Sequence, residues 1–164
     1  MAISKDKKNA IAAKLTDALK DAVSVVFVRF HKLSVADTSA LRRELKKEGV
    51  GYYVAKKTLI KRALSAKQFE GEVPAMDGEI AIAWSNSDAT APARLIHVAG
   101  KKYKEAIAIA GGVFENAFAD VAKMVSIATI PPLPVLRGMF ANIINTPRSR
   151  FAIALAEVAK TKTV

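Results

Sequence analysis

Cysteine is absent from all 164 residues, so the chain has no disulfide framework, no thiolate metal ligand and no thiol nucleophile. Long apolar runs are absent too: no segment approaches the roughly 20 apolar residues that span a bilayer. The start, Met1-Ala2-Ile3-Ser4-Lys5, turns charged at once and lacks a signal-peptide core, which makes the cytoplasm the expected compartment. Internal repeats and low-complexity tracts are missing as well. Acid is scarce. Lys and Arg number 26 against 15 Asp and Glu, a formal +11. The surplus is uneven: residues 1–70 hold 16 basic and 7 acidic side chains, and residues 71–164 hold 10 and 8. A strongly basic half joined to a near-neutral one points to a polyanion on the first and a different task for the second. Nucleic acid is favoured over anionic membrane. With 51% hydrophobic residues the chain can build a core, which excludes disorder throughout.

Equipment for catalysis is also sparse. His31 and His97 are far apart and form no HxxxH or HExxH spacing. Gly111-Gly112 is not followed by the Lys-Ser or Lys-Thr of a phosphate loop, and no GxGxxG follows the first strand. A strand bulge or turn is the simpler reading of that pair. Glu44 and Glu48 stand at i, i+4 among Arg42, Arg43, Lys46 and Lys47, which reads as a solvated, ion-paired helix face. No catalytic residue, metal site or cofactor site is expected, and the chain does not read as an enzyme.

Periodicity predicts a helix over residues 4–22 on Ile11, Leu15, Ala18 and Leu19, with Ser4 as N-cap. The β-branched and aromatic run Val23 to Phe30 reads as a strand buried on both faces. Ser34 with Asp37 makes a capping-box-like start for a helix on Thr38, Leu41 and Leu45. Gly49 and Gly51 end that helix and lead into a strand, Tyr52 to Ala55. A helix from Lys56 to about Ala66, a strand from Ile80 to Trp84 and a helix from Ser87 or Asp88 to Gly100 follow. Next come a strand from Ala106 to Val113 and a helix from Phe118 to Ala128. The expected fold is α+β, a small four-stranded sheet with packed helices over residues 1–130. Pro131, Pro132 and Pro134 mark a boundary. Residues 131–164 read as an extended helical tail, too short to enclose a core alone.

Two surfaces carry the functional signal. Lys56, Lys57, Lys61 and Arg62 crowd the first turns of one helix, beside Thr58. Cations there oppose the helix dipole by about 0.3–1 kcal/mol each, and a phosphate held by the free N–H groups reverses the sign. Lys5, Lys7, Lys8 and Lys14 on the first helix, and Arg29 and Lys32 at the end of the first strand, extend the patch. Tyr52 and Tyr53 are too few for a single-strand stacking platform, so folded RNA read through backbone and shape is the expected partner. In the tail, Phe151, Leu155 and Val158 recur at helical spacing with Ile153 among them, and Leu136, Met139, Phe140 and Ile143 do so upstream. Such a stripe must be buried, on the domain itself or in the groove of another protein. Pro147 is expected to bend or restart the tail helix.

Tyr53-Val54-Ala55-Lys56-Lys57-Thr58-Leu59-Ile60-Lys61-Arg62-Ala63-Leu64 resembles the V-x-K-N-T-L-x-x-R-A signature of the bacterial large-subunit ribosomal protein L-ten family. Leu41-Arg42-Arg43-Glu44-Leu45 with Gly49-Val50 is similar to its L-R-x-x-L…G-V, and Gly111-Gly112-Val113-Phe114-Glu115 to its G-G-x-x-E-G. Gly78, Ile80 to Ser85 and Asp88 resemble its G-P-T-A-I-A-[FY]-S…D. Lys57 stands where the family has Asn, Glu79 where it has Pro, Asn116 where it has Gly, and His31-Lys32 replaces an Arg-Gly-like pair. The resemblance implies a ferredoxin-like fold and a structural role at the ribosomal stalk base. It implies binding of large-subunit rRNA at the GTPase-associated centre beside protein L-eleven. It also implies a C-terminal helix that anchors dimers of the acidic stalk protein L-seven/L-twelve, which recruit translation factors. The tail is short, which implies two dimers. An assembly factor that shares the rRNA-binding domain is the alternative, and it would not need the apolar stripe of the tail.

Overall fold

The computed structural model describes residues 5–65, 69–71, 74, 76–103 and 106–162, with side chains from Ala10 onward. The N-cap expected at Ser4 and the helix end expected at Ala66 lie outside these residues. The chain divides into two units, 1–130 and 131–164. The first contains, in order, α1 (Lys5–Lys20), β1 (Ser24–Phe30), α2 (Val35–Lys47), β2 (Val50–Val54) and α3 (Lys57–Ser65). It continues with β3 (Glu79–Ser85), α4 (Ala91–Lys102), β4 (Ile107–Phe114), β5 (Ala117–Ala119) and α5 (Val121–Ala128). The second holds one helix, α6 (Leu133–Lys162).

Among the described residues the sheet has five antiparallel strands in the order β2-β3-β1-β4-β5. β1 is central and buried along its first five residues, and its alternating side chains feed two cores. Val26 and Val28 pack with Leu41 and Leu45 of α2, Ile96 of α4 and Met124 of α5. Val25 and Phe27 pack on the other face with Leu15 and Leu19 of α1 and Ile60 and Leu64 of α3. Each fully buried side chain of this kind contributes roughly 1.5–3 kcal/mol. β1–α2–β2 and β3–α4–β4 each leave a slot that one strand of the other fills, the split βαβ arrangement.

The structure departs from the expected four-stranded ferredoxin-like sheet by a fifth strand and by α1 and α3 on the second face. The helix expected from Phe118 is in fact β5 followed by α5. The cause is a two-residue reversal at Glu115 and Asn116, whose φ values of 51° and 64° lie in the left-handed region. Two such residues form the hairpin turn whose twist suits the flanking strands. The glycine pair before it is a bulge. Val28 faces Ile109 and Phe27 faces Gly111, so Ala110 is extra, and Gly111 has a φ of 126°. A Cβ on Gly112 would lie 2.5 Å from the Val25 carbonyl oxygen, so β1 and β4 meet closely only because that side chain is absent.

α2 starts as expected: Ser34 Oγ accepts the Asp37 N–H at 3.1 Å. α4 starts later than expected, with Thr90 as its N-cap. Asp88 accepts hydrogen bonds from the Thr90 N–H at 2.8 Å and the Thr90 hydroxyl at 2.9 Å, with Arg94 3.5 Å away. Burial pushes the Asp88 pKa up, but those bonds and the Arg94 charge outweigh it and hold the carboxyl below its usual range.

Candidate nucleic-acid interface

β1 and β2 run parallel to each other, both antiparallel to β3. The segments that follow them, one carrying Lys32 and the other Lys56 and Lys57, therefore leave the same end of the sheet. α3 buries Ile60, Ala63 and Leu64 and turns Thr58, Lys61 and Arg62 to solvent, while Lys56 is exposed and Lys57 half-buried. Lys32 is exposed with a φ of 48°. Among the described residues, none of these five cations makes an ion pair. α3 contains no acidic residue, and Lys57 and Lys61 stand at i, i+4, a like-charge pair that costs a few tenths of a kcal/mol. The Lys56 carbonyl accepts the N–H groups of Leu59 and Ile60 at 2.9 and 3.1 Å. The Lys57 and Thr58 N–H groups find no acceptor among the described residues. Free donors and unneutralised cations thus share one helix start, the arrangement that accommodates a phosphate. The side chains of Lys5, Lys7 and Lys8 lie outside the described residues.

Other candidates resolve differently. Glu44 pairs with Lys102 of α4 at 2.7 Å rather than with its own helix neighbours, so the ion-paired face expected within α2 is replaced by a tie between helices. Tyr52 and Tyr53 pack on opposite faces of the sheet and offer no joint stacking surface. Burial raises the Tyr52 pKa against the Arg42 guanidinium, which lies 5.9 Å from its ring. His31 is exposed and donates its backbone N–H to Ala106, while His97 is half-buried on α4. Among the described residues no group of His, Asp and Glu is placed to hold a metal ion.

α6 has no buried residue among those described. Met139, Phe140, Ile143, Phe151, Ile153, Leu155 and Val158 are all at least half exposed. At about 100° per residue, Phe140, Ile143, Phe151, Leu155 and Val158 share one face. Ile153 does not: two positions from Phe151, it points to the far side, and Met139 sits at the border. Ile144, 63% exposed and four positions after Phe140, belongs to the stripe as well. α6 runs through Pro147 without restarting.

The family model described as ribosomal protein L10 matches residues 3–101, which include α1, the β2–α3 junction and most of α4. The chain belongs to the ribosomal protein L10 family. It is 32% identical over 157 residues to the large ribosomal subunit protein uL10 of Shouchella clausii, covering 96% of this chain and 94% of that protein. It is 32% identical over 156 residues to the uL10 of Lacticaseibacillus casei, covering 95% and 92%. The uL10 of Staphylococcus carnosus is 31% identical over 157 residues, covering 96% and 94%. Matches of this length reach into α6. L10-family proteins are structural ribosomal proteins and not enzymes, which agrees with the lack of a catalytic constellation in the sequence.

Proposed function

We propose that this L10-family chain builds the stalk base of the large ribosomal subunit in the bacterial cytoplasm. Residues 1–130 bind rRNA at the GTPase-associated centre through Lys32, Lys56, Lys57, Thr58, Lys61 and Arg62, with Lys5, Lys7 and Lys8 extending the patch and L-eleven as the neighbour. Residues 131–164 form the arm that anchors dimers of the acidic stalk protein L-seven/L-twelve.

The observation that carries this reading is the gathering at one end of the sheet of five cations that have no acidic partner among the described residues. Folding without a polyanion would favour dispersing them. The arm is supported by the exposed stripe of α6 and by its charge: five basic residues and one acidic lie between Leu133 and Lys162, which suits an acidic partner. The same stripe weighs against an assembly factor, which would have no use for it. The test is truncation after Ile130. The shortened chain is expected to bind an rRNA fragment of the factor-binding centre with full affinity, and native mass spectrometry is expected to find no stalk dimers on it. Stalk dimers retained by residues 1–130 would refute the assignment of the arm.

A further inference from the structure

Beside the cation cluster the same end of the sheet opens into a cleft of about 480 Å³, within the range of pockets that enclose small ligands. Its walls are Ile11 of α1, Ala55 and Leu59 at the β2–α3 junction, and Ile80 of β3. Lys56 and Lys57 also line it, and Glu79 is the one acidic residue that does. A regular duplex backbone has no use for such a cleft, because it offers anionic oxygens and sugar edges but no flat apolar body. An unstacked nucleotide has both parts. Its base fills an apolar slot, and its phosphate meets cations and free N–H groups at the mouth. At the cleft the cations are Lys56 and Lys57, and the donor is the Lys57 N–H, which has no acceptor among the described residues, with the likewise free Thr58 N–H next to it in the chain.

We propose that the cleft between α1 and the start of α3 takes one unstacked nucleotide of the bound RNA, its base among Ile11, Ala55 and Leu59 and its phosphate at the α3 start. This rests on the RNA-binding reading and adds base recognition to a surface otherwise limited to backbone and shape.

The experiment uses the full chain and a transcribed rRNA fragment of the factor-binding centre. Affinity is measured across a salt series, and base-specific chemical probing is run with and without protein. Wild type is expected to protect one unpaired base. Ala55→Phe, which fills the cleft and leaves every cation in place, is expected to lower affinity about tenfold, at the lower end of what one base contact contributes. Its salt dependence is expected to stay unchanged and the protected base to become reactive. Should Ala55→Phe fail to fold, Ile11→Trp blocks the cleft from α1 and decides the matter. A cleft-filled variant with the wild-type melting curve that keeps both affinity and protection overturns the proposal. So does displacement of the fragment by micromolar free nucleoside monophosphates, which would make this a small-molecule site. Absence of any binding by wild type would instead sink the RNA reading itself.

Discussion

Lys56, Lys57, Lys61 and Arg62 changed together to Gln give the most direct measure of what the basic end of the sheet does. All four side chains are free of ion pairs among the described residues, so removing their charge breaks no internal contact, and stability is expected to hold or rise slightly. Each phosphate contact contributes roughly 0.7–0.9 to the slope of log affinity against log salt. Four lost contacts therefore flatten the slope by about 2.8 to 3.6. Between 50 and 200 mM salt, wild type is expected to lose roughly 50- to 150-fold more affinity than the variant. Fluorescence anisotropy of a labelled rRNA fragment at five salt concentrations reads this directly. A slope that stays parallel to wild type while circular dichroism shows the fold intact would remove these residues from the interface, whatever happened to the absolute affinity.

The tail gives a sharper geometric test: Phe151→Asp is expected to weaken stalk-protein binding by at least two orders of magnitude, and Ile153→Asp, on the opposite side of α6, by less than threefold, both read by isothermal titration. Equal losses would mean that the helix is wrapped rather than docked on one side. Gly112→Ala should destabilise the domain by roughly 1–3 kcal/mol through overpacking against the Val25 carbonyl and Met124, seen as a lower urea midpoint with unchanged slope. Asp88→Asn tests the start of α4. A carboxyl held below its usual pKa stabilises the fold above the unfolded value of about 4 and loses that contribution as pH falls further. The deficit of the variant should therefore be present at pH 7 and shrink as pH falls through the lowered Asp88 pKa. With the Asp88 side chain 44% exposed, it should stay below about 1 kcal/mol.

Patterns that depend on neighbours in sequence were legible beforehand. The Val25–Val28 run reads as a doubly buried strand because each face meets its own helices, and Ser34 with Asp37 announces α2 through a bond three residues long. The glycine bulge was legible for the same reason. β5 was not: Ala117-Phe118-Ala119 has no strand pattern of its own, and its conformation follows from the left-handed pair before it and from the edge of β4. The α4 start was misread because Asp88 has the right chemistry for a cap but spends it on Thr90, two residues on. At the candidate site, the sequence supplied the cations but not their meeting point. That Lys32 and Lys56 leave the same end of the sheet depends on β3 lying between β1 and β2, a long-range pairing that no local pattern records. Ile153 was included in the stripe because it is apolar, although helical geometry alone excludes it.

The bareness of α6 has a consequence for the cell. A helix of 30 residues is about 45 Å long, yet none of its described residues is buried, and Pro147 in its interior costs roughly 3 kcal/mol. Isolated helices in water are marginal, so the population of this one is governed by mass action. A partner present at a hundred times its dissociation constant adds about 2.7 kcal/mol. If α6 is the arm proposed above, copies of the chain made in excess of their partners are expected to leave it open to proteases, and copies that find partners to shield it. On the reading of α6 as a stalk arm, the expected consequence is that supply of the chain follows supply of its partners after translation, by degradation of the surplus.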